Sequence, residues 1–177
     1  MKMRATALVL IGISAVFVTS VAMASSPQME AYGDWTVRCI DRENLPPCDI
    51  AQATLRRESG EQVLEFSIAY AGANDAYGVL LITPLGVGLT EGAAIRVDDR
   101  PALDNLKFTR CESRGCFIEA IVEPKALKPL QGGEQGVLVL VGRDNRPQGI
   151  PLSLNGFSKA LGVMRARNLK WAERPRT

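Results

Sequence analysis

The chain has 177 residues, with 21 lysines and arginines, 19 aspartates and glutamates, and no histidine. This near-neutral balance argues against generic nucleic-acid binding, which depends on a basic surface. The lack of histidine excludes the usual Ser–His and Cys–His nucleophile pairs and every zinc site that needs an imidazole ligand.

Residues 1–24 have the pattern of a secretory signal peptide. Lys2 and Arg4 precede an uncharged run at 7–18, and Ala-Met-Ala at 22–24 forms a small-residue cleavage site. As a helix, such a run spans about 18 Å, which is too short for a hydrocarbon core of about 30 Å. We expect cleavage before Ser25 and a periplasmic or secreted, envelope-associated protein of 177 − 24 = 153 residues.

The charge is unevenly distributed along the chain after the signal. Removing Lys2 and Arg4 leaves 21 − 2 = 19 basic against 19 acidic residues, yet the stretch from Lys159 to the end holds six basic residues and one acid. A chain of this size suits one domain. We predict a flexible segment at 25–31, the domain at 32–168 and a flexible basic tail at 169–177.

The middle of the chain is dominated by strand patterns. Apolar and polar residues alternate at 35–39, 64–70 and 116–123, which predicts half-buried strands. The continuous apolar runs at 79–82 and 137–141 predict central strands covered on both sides. Glycine-rich or Asp/Asn-rich turns separate these runs at short intervals, so the pattern predicts an all-β sandwich or barrel.

Two short helices interrupt this pattern. The first is predicted over 124–130, with Pro124 at its first position and Pro129 keeping it short. The second follows Asn155-Gly156, near the C-terminus. Its predicted apolar face comprises Phe157, Ala160, Leu161 and Met164.

The four cysteines are predicted to form structural disulfides. Export implies an oxidising compartment, where an even number of closely spaced cysteines indicates bridges. Three connectivities are open; we favour the local one, Cys39 with Cys48 and Cys111 with Cys116. The alternative is a four-thiolate zinc site, but Cys39-x8-Cys48 has poor ligand spacing. A thiol oxidoreductase is disfavoured, because neither pair has the Cys-x-x-Cys spacing.

Other catalytic chemistry has weak support in the sequence. A carboxylate pair acting on a glycosidic bond is formally open, although surface acids that are simply solvated are the plainer interpretation. The candidate acids are Asp34, Asp98, Asp99, Asp104, Glu119 and Glu123. Ser-x-x-Lys and a complete phosphate-binding glycine loop are both absent from the sequence. We therefore predict a non-enzymatic protein without a metal or cofactor.

The basic C-terminal stretch is the one segment whose composition suggests an interaction. Its cations, with Trp171, could contact an acidic partner or lie peripherally on an anionic membrane surface. The plainer alternative is a solvated helix end whose cations stabilise the helix dipole. The candidate contact residues are Arg165, Arg167, Lys170, Trp171, Arg174 and Arg176.

Four segments together resemble the invasion-associated locus B family of exported bacterial proteins. They are Tyr-Gly-Asp-Trp-Thr-Val-Arg-Cys at 32–39, Thr-Pro-Leu-Gly-Val at 83–87, Arg-Cys through Gly-Cys at 110–116, and Ile-Pro-Leu-Ser-Leu-Asn-Gly-Phe at 150–157. The resemblance runs in order from about residue 32 to 162.

The resemblance implies an immunoglobulin-like β-sandwich in the envelope of a Gram-negative bacterium, with the cysteines as bridges and no catalytic residue or cofactor to carry over. We predict an envelope protein that acts by contact with an unknown envelope or host protein, with a role in host-cell interaction or invasion. The alternatives are a small-ligand or glycan-binding module, with a groove near loops such as 143–148, and a carboxylate-dependent hydrolase.

Overall fold

The computed structural model describes residues 27–70 and 75–173. Within these ranges the chain forms eleven strands, one 3-10 helix (Pro124–Leu127) and two α-helices, α1 (Lys128–Gly132) and α2 (Phe157–Ala172). The strands are β1 (Gln28–Tyr32), β2 (Trp35–Cys39), β3 (Cys48–Leu55), β4 (Gln62–Tyr70), β5 (Tyr77–Thr83), β6 (Ala93–Val97), β7 (Arg100–Leu106), β8 (Phe108–Glu112), β9 (Gly115–Val122), β10 (Gln135–Val141) and β11 (Pro147–Ser153).

The strands form two antiparallel sheets. The larger has seven strands in the order β1-β2-β3-β4-β5-β9-β8, and the smaller has four in the order β11-β10-β6-β7. The chain enters the smaller sheet after β5, returns with β8 and β9, and leaves again for β10. The predicted all-β, two-sheet class with a helix near the C-terminus is confirmed.

The core lies on the inner face of the larger sheet, beneath the smaller sheet and α2. Trp35, Phe66 and Phe157 are fully buried there. The indole ring of Trp35 meets the rings of Phe66 and Phe157 edge to face, with centroids 5.4 and 4.9 Å apart. Such aromatic pairs add to the stabilisation from buried area.

Helix α2 has the predicted apolar stripe, because Phe157, Ala160, Leu161 and Met164 are all buried. One polar residue, Asn168, continues the stripe at the next turn. Its side-chain amide accepts a hydrogen bond from the Cys48 backbone N–H (3.0 Å) and donates one to the Cys48 carbonyl (2.8 Å). Cys48, the first residue of β3, has no partner in β4. The amide of Asn168 therefore takes the place of a β4 residue at this position.

A second junction joins the β1–β2 turn to the turn before α2. The Asp34 backbone N–H donates to the Asn155 carbonyl (3.1 Å), and the Ser153 hydroxyl donates to the Asp34 carboxylate (2.6 Å). The Trp35 indole N–H donates to the Ser153 carbonyl at 2.9 Å. The first and last of the four segments that carry the resemblance therefore meet in space.

Several sequence predictions need correction. Residues 28–31, expected to be flexible, belong to β1, which gains its order by pairing with β2 along five residues. Residues 169–172 of the expected flexible tail continue α2. The run at 137–141 is not covered on both sides, since Leu138 and Leu140 are buried while the three valines are half-buried. The cause is that β10 lies in the smaller sheet, with only one face toward the core.

The first predicted helix is confirmed but divided. A 3-10 turn (Pro124–Leu127) leads into α1 (Lys128–Gly132), and Leu127 and Leu130 are buried. Pro129 does not end the helix, because it lies in the first turn of α1, where a proline N–H is not needed. The predicted signal peptide at 1–24 and residues 174–177 of the predicted tail lie outside the described residues.

Candidate functional site

The cysteines form two local disulfides, Cys39–Cys48 and Cys111–Cys116. Each joins residues directly opposite each other on neighbouring strands, β2 with β3 and β8 with β9. This is the connectivity favoured from the sequence, and it fits an oxidising compartment. Both bridges therefore fasten hairpins of the larger sheet.

Arg165 of the predicted contact residues is engaged within the fold. Its guanidinium lies 2.7 Å from the Asp75 carboxylate and 5.5 Å from the centre of the Tyr70 ring. The hydrogen bond from Arg165, followed by one from Tyr70, lowers the pKa of the Asp75 carboxyl. Arg165 therefore attaches α2 to the segment between β4 and β5.

Arg167 lies on the opposite side of α2 from Arg165. Its guanidinium pairs with the Glu30 carboxylate on β1 and lies 3.6 Å from the Cys39 sulfur. The pKa of Glu30 is lowered by hydrogen bonds from Tyr32 and then from Arg167. Further along the helix, Lys170 is exposed and Trp171 is half-buried.

The structure therefore does not gather the predicted contact residues into one free patch. Arg165 and Arg167 form ion pairs on different elements. Arg174 and Arg176 lie outside the described residues. Membrane contact by the tail stays a prediction.

These ion pairs predict a pH dependence for the docking of α2. The ordinary pKa values of 3.8 for Asp75 and 4.5 for Glu30 are both lowered in the fold. Their stabilisation is therefore present above the ordinary values and is lost as pH falls through the lowered ones. We expect the drop in Tm between about pH 5 and pH 3 to be smaller in Arg165→Gln than in the unmodified protein.

Thermal unfolding followed by circular dichroism at each pH measures this difference. Lys170→Gln is the matched control, because Lys170 is an exposed cation on the same helix. It should keep the pH profile of the unmodified protein. Identical profiles for all three proteins would contradict the assignment of the Arg165–Asp75 pair.

The acids considered for hydrolysis are mostly engaged in structural contacts. Asp34 accepts from Ser153, and Asp98 accepts from the backbone N–H groups of Glu134 and Gln135 at 3.1 and 2.9 Å. Glu119 pairs with Arg110, and Glu123 with Lys125, both at 2.6 Å. The remaining two, Asp99 and Asp104, are exposed.

The outer face of the larger sheet, turned away from the core, carries a network of paired charges. The Arg38 guanidinium lies 2.5 Å from Asp49 and 3.2 Å from Glu65, and Glu65 also pairs with Arg114 at 3.1 Å. Burial alone would lower the pKa of Arg38, but its bonds to Asp49 and Glu65 outweigh that effect and raise it. The network therefore spans β2, β3, β4 and the β8–β9 turn.

A second charged group borders the same face at β8 and β9. Arg110 pairs with Glu112 (2.7 Å) and Glu119 (2.6 Å), and its guanidinium lies 4.1 Å from the centre of the Phe117 ring. The hydrogen bond from Arg110 lowers the pKa of Glu119. Stacking on the ring holds the guanidinium against the sheet.

Between the two groups the outer face forms a shallow depression of about 570 Å³. Its floor consists of the small residues Ser67, Ala69 and Gly78 together with Leu80, and Ile121, which is 73% exposed, also lines it. Helix α2 lies against the opposite face, where Phe157 meets the Trp35 ring and Asn168 bonds to Cys48. The outer face is thus open to a partner.

A second concavity, here called the arginine groove, opens where the two sheets meet. It has a volume of about 540 Å³ and is lined by Arg56, Arg57 and Arg143 together with apolar side chains. Arg143 and Gln148, at the ends of the loop named in the sequence prediction of a groove, both line it.

Sequence reasoning missed most of these residues. Arg38, Asp49 and Glu65 occupy polar positions of alternating strands, a pattern that predicts the solvent face but not which strands are neighbours. Arg56 and Arg57 lie in a hairpin turn whose position against residues 143–148 depends on the packing of the two sheets. The polar Asn168 on an otherwise apolar helical stripe was a signal that the sequence did offer.

Two features are absent from the described part of the chain. It contains no group of three or more cysteine or acidic side chains placed to hold a metal ion. It also contains no helix with the length and hydropathy needed to cross a membrane.

Comparisons with known proteins place the chain in a family. The model of a family described as "Invasion associated locus B (IalB) protein" matches residues 35–165. The chain is 30% identical over 151 residues to an "Invasion protein B homolog" from Brucella abortus strain 2308 and equally to one from biovar 1 strain 9-941, covering 85% of this chain and 86% of each relative.

A solved structure supports the fold. The crystal structure of invasion associated protein b from Bartonella henselae superimposes with a TM-score of 0.73 at 21% identity, covering 81% of this chain and 98% of that chain. The matched family model covers most of the described residues, and the resemblance noted from four short segments is confirmed. The chain belongs to the invasion-associated locus B family.

Proposed function

We propose that the protein is an exported, non-enzymatic envelope protein that acts by protein–protein contact through the outer face of its larger sheet. The partner is an envelope or host protein, and the contact serves host-cell interaction or invasion. The observation that carries the proposal is the open outer face with its charged network, its floor of small side chains and the exposed Ile121.

The physical character of the outer face supports a protein partner. Arg38 is held between Asp49 and Glu65, and Arg110 is paired with Glu119 and stacked on Phe117, so these two guanidinium groups are ordered before a partner binds. Pre-ordered side chains lose less entropy on binding. The mixed polarity of the face is compatible with a protein interface, whose overall polarity resembles that of ordinary surface.

Two further facts support contact rather than catalysis. The chain has no histidine to serve as a base, and four of the six acids considered for hydrolysis are held by structural partners. The relative in Brucella abortus carries "invasion" in its description. That name supports a role in invasion for this chain.

The proposal is tested by placing a photo-crosslinking amino acid at position 121 in the living bacterium. We expect a discrete crosslinked species of higher mass, which Ala69→Arg abolishes because its long side chain would fill the depression. Leu89 is the matched control position, since it is an exposed aliphatic residue, 51% accessible, outside the outer face. A crosslinker at 89 should give no such species.

Equal crosslinking at 121 and 89, or a species that persists in Ala69→Arg, would overturn the assignment of the outer face. The melting temperature of each variant shows whether it is folded. If Ala69→Arg is unfolded, Ile121→Glu serves in its place, with the crosslinker moved to position 80 on the same face. Loss of the crosslinked species in that variant supports the proposal, and its persistence contradicts it.

A further inference from the structure

The arginine groove is built from three separate loops or strands. The β3–β4 turn supplies Arg56 and Arg57, the loop after β5 supplies Leu85, and the β10–β11 hairpin supplies Arg143. Its volume of about 540 Å³ falls within the range of about 300 to 1,000 Å³ typical of small-ligand sites.

The charge of the groove is one-sided. No aspartate or glutamate lines it. Among the described residues, Arg57 and Arg143 form no ion pair, and Arg56 has only a 3.6 Å contact with Glu61 in which both side chains are more than half exposed. The hairpin's own acid, Asp144, lies outside the lining and faces Arg146 at 3.9 Å. The groove therefore presents guanidinium groups that fit an anion.

Apolar side chains surround these guanidinium groups. Leu55 and Leu85 are 56% and 55% exposed, although most leucines among the described residues are buried. Val63, Val87, Ile150 and Pro151 continue the apolar surface along the groove. Exposed apolar surface of this kind, next to cations, fits a ligand that has an apolar body as well as a charged head.

The groove is held in shape by bonds among its walls. The Thr54 hydroxyl donates to the Pro151 carbonyl at 3.0 Å, and the Gly88 N–H donates to the Val141 carbonyl at 2.8 Å. Gly86, with φ of +87°, lets the Arg143 guanidinium approach, because a Cβ at position 86 would lie 2.8 Å from its terminal nitrogen. A site formed in advance loses little free energy to reorganisation on binding.

We infer that the arginine groove binds a single-chain amphiphile whose head is an anionic phosphate or carboxylate. The head pairs with Arg57 and Arg143, and the acyl chain lies along Leu55, Leu85 and Ile150. Planar guanidinium groups suit both head groups, because each can accept two parallel hydrogen bonds. This activity is separate from the outer face, so it stands or fails independently of the protein contact proposed above.

The test uses octyl phosphate, octanoate, octyl glucoside and inorganic phosphate, each below any micelle-forming concentration, titrated into the purified protein. Amide chemical shifts map the site, and calorimetry measures Kd. We expect octyl phosphate or octanoate to shift the amides of residues 54–57, 84–87 and 143–150. Octyl glucoside, which has the same chain without the charge, and inorganic phosphate, which has the charge without the chain, should each bind at least about 10-fold more weakly.

The arginines are tested one at a time. Arg57→Gln and Arg143→Gln should each weaken the binding of the anionic amphiphile by about 5- to 10-fold. Arg146→Gln is the matched control, because Arg146 is an exposed arginine of the same hairpin outside the lining, and it should leave Kd unchanged. Amide chemical shifts outside the groove that match those of the unmodified protein show that each variant is folded.

The relative affinities of octyl phosphate and octanoate identify the head group that the groove prefers, and tighter binding of either supports the inference. Shifts elsewhere in the protein, equal affinity for octyl glucoside, equal affinity for inorganic phosphate, or unchanged Kd in both groove variants would each overturn it.

Discussion

Replacing Gly156 with alanine is expected to lower the free energy of unfolding by about 3 kcal/mol, combining left-handed backbone strain with overpacking. Gly156 has φ of +85°, and a Cβ there would lie 1.9 Å from the Tyr32 carbonyl oxygen and 2.5 Å from its carbon. Both atoms belong to the backbone of the β1–β2 hairpin, so neither can turn aside. Relief requires the hairpin and the start of α2 to separate.

Chemical denaturation of the purified protein measures this loss, and Gly162→Ala is the matched control. Gly162 is an exposed residue inside α2, with no neighbouring heavy atom within 4 Å of an added Cβ. Alanine there should stabilise the protein by about 1 kcal/mol through helix propensity. A loss below about 1 kcal/mol for Gly156→Ala would show that the two turns are not in contact.

Replacing Asn168 with alanine is expected to cost about 2 to 4 kcal/mol, because it leaves the N–H and the carbonyl of Cys48 without partners. Asn168 is 1% exposed and Cys48 is 2% exposed, so water does not replace the lost bonds. Asn168→Asp should also destabilise at neutral pH, since a buried carboxylate accepts but cannot donate to the Cys48 carbonyl. Its stability should rise relative to the parent as acid protonates that carboxyl.

The same denaturation experiment across pH tests both variants. Lys170→Ala, an exposed change two residues further along α2, should stay within about 0.5 kcal/mol of the parent. A similarly small effect for Asn168→Ala would mean that the amide does not hold α2 to β3.

The fold class was predictable because local patterns carry it. The alternation of apolar and polar residues at 35–39 and 64–70 predicted one buried face per strand, and the apolar stripe from Phe157 to Met164 predicted the helix. The place of β1 (Gln28–Tyr32) at the edge of the larger sheet was not predictable, because this strand is almost wholly exposed and has no buried face. Its order comes from pairing with β2, which local sequence does not encode.

The interaction surfaces were predictable only in fragments. The loop at 143–148 was a reasonable candidate for a groove, yet its arginine partners in the β3–β4 turn lie about ninety residues earlier in the sequence. The basic stretch on α2 was overvalued, because composition shows charge but not the carboxylates, Asp75 and Glu30, that neutralise it. Pairing across distant segments is a tertiary property, so composition alone overstates free charge.

The junction between the β1–β2 turn and the residues before α2 also bears on the order in which the protein can fold. Trp35 and Gln52 precede Ser153 by 118 and 101 residues, and the Ser153 carbonyl accepts from both of their side chains. Until the last quarter of the chain is present, the early hairpins lack the segment that covers them. The Trp35 indole and the Gln52 amide also lack their hydrogen-bond acceptor. Folding that must await such distant contacts is slow, and the short-range Cys39–Cys48 bridge is suited to holding the first hairpin together during that wait.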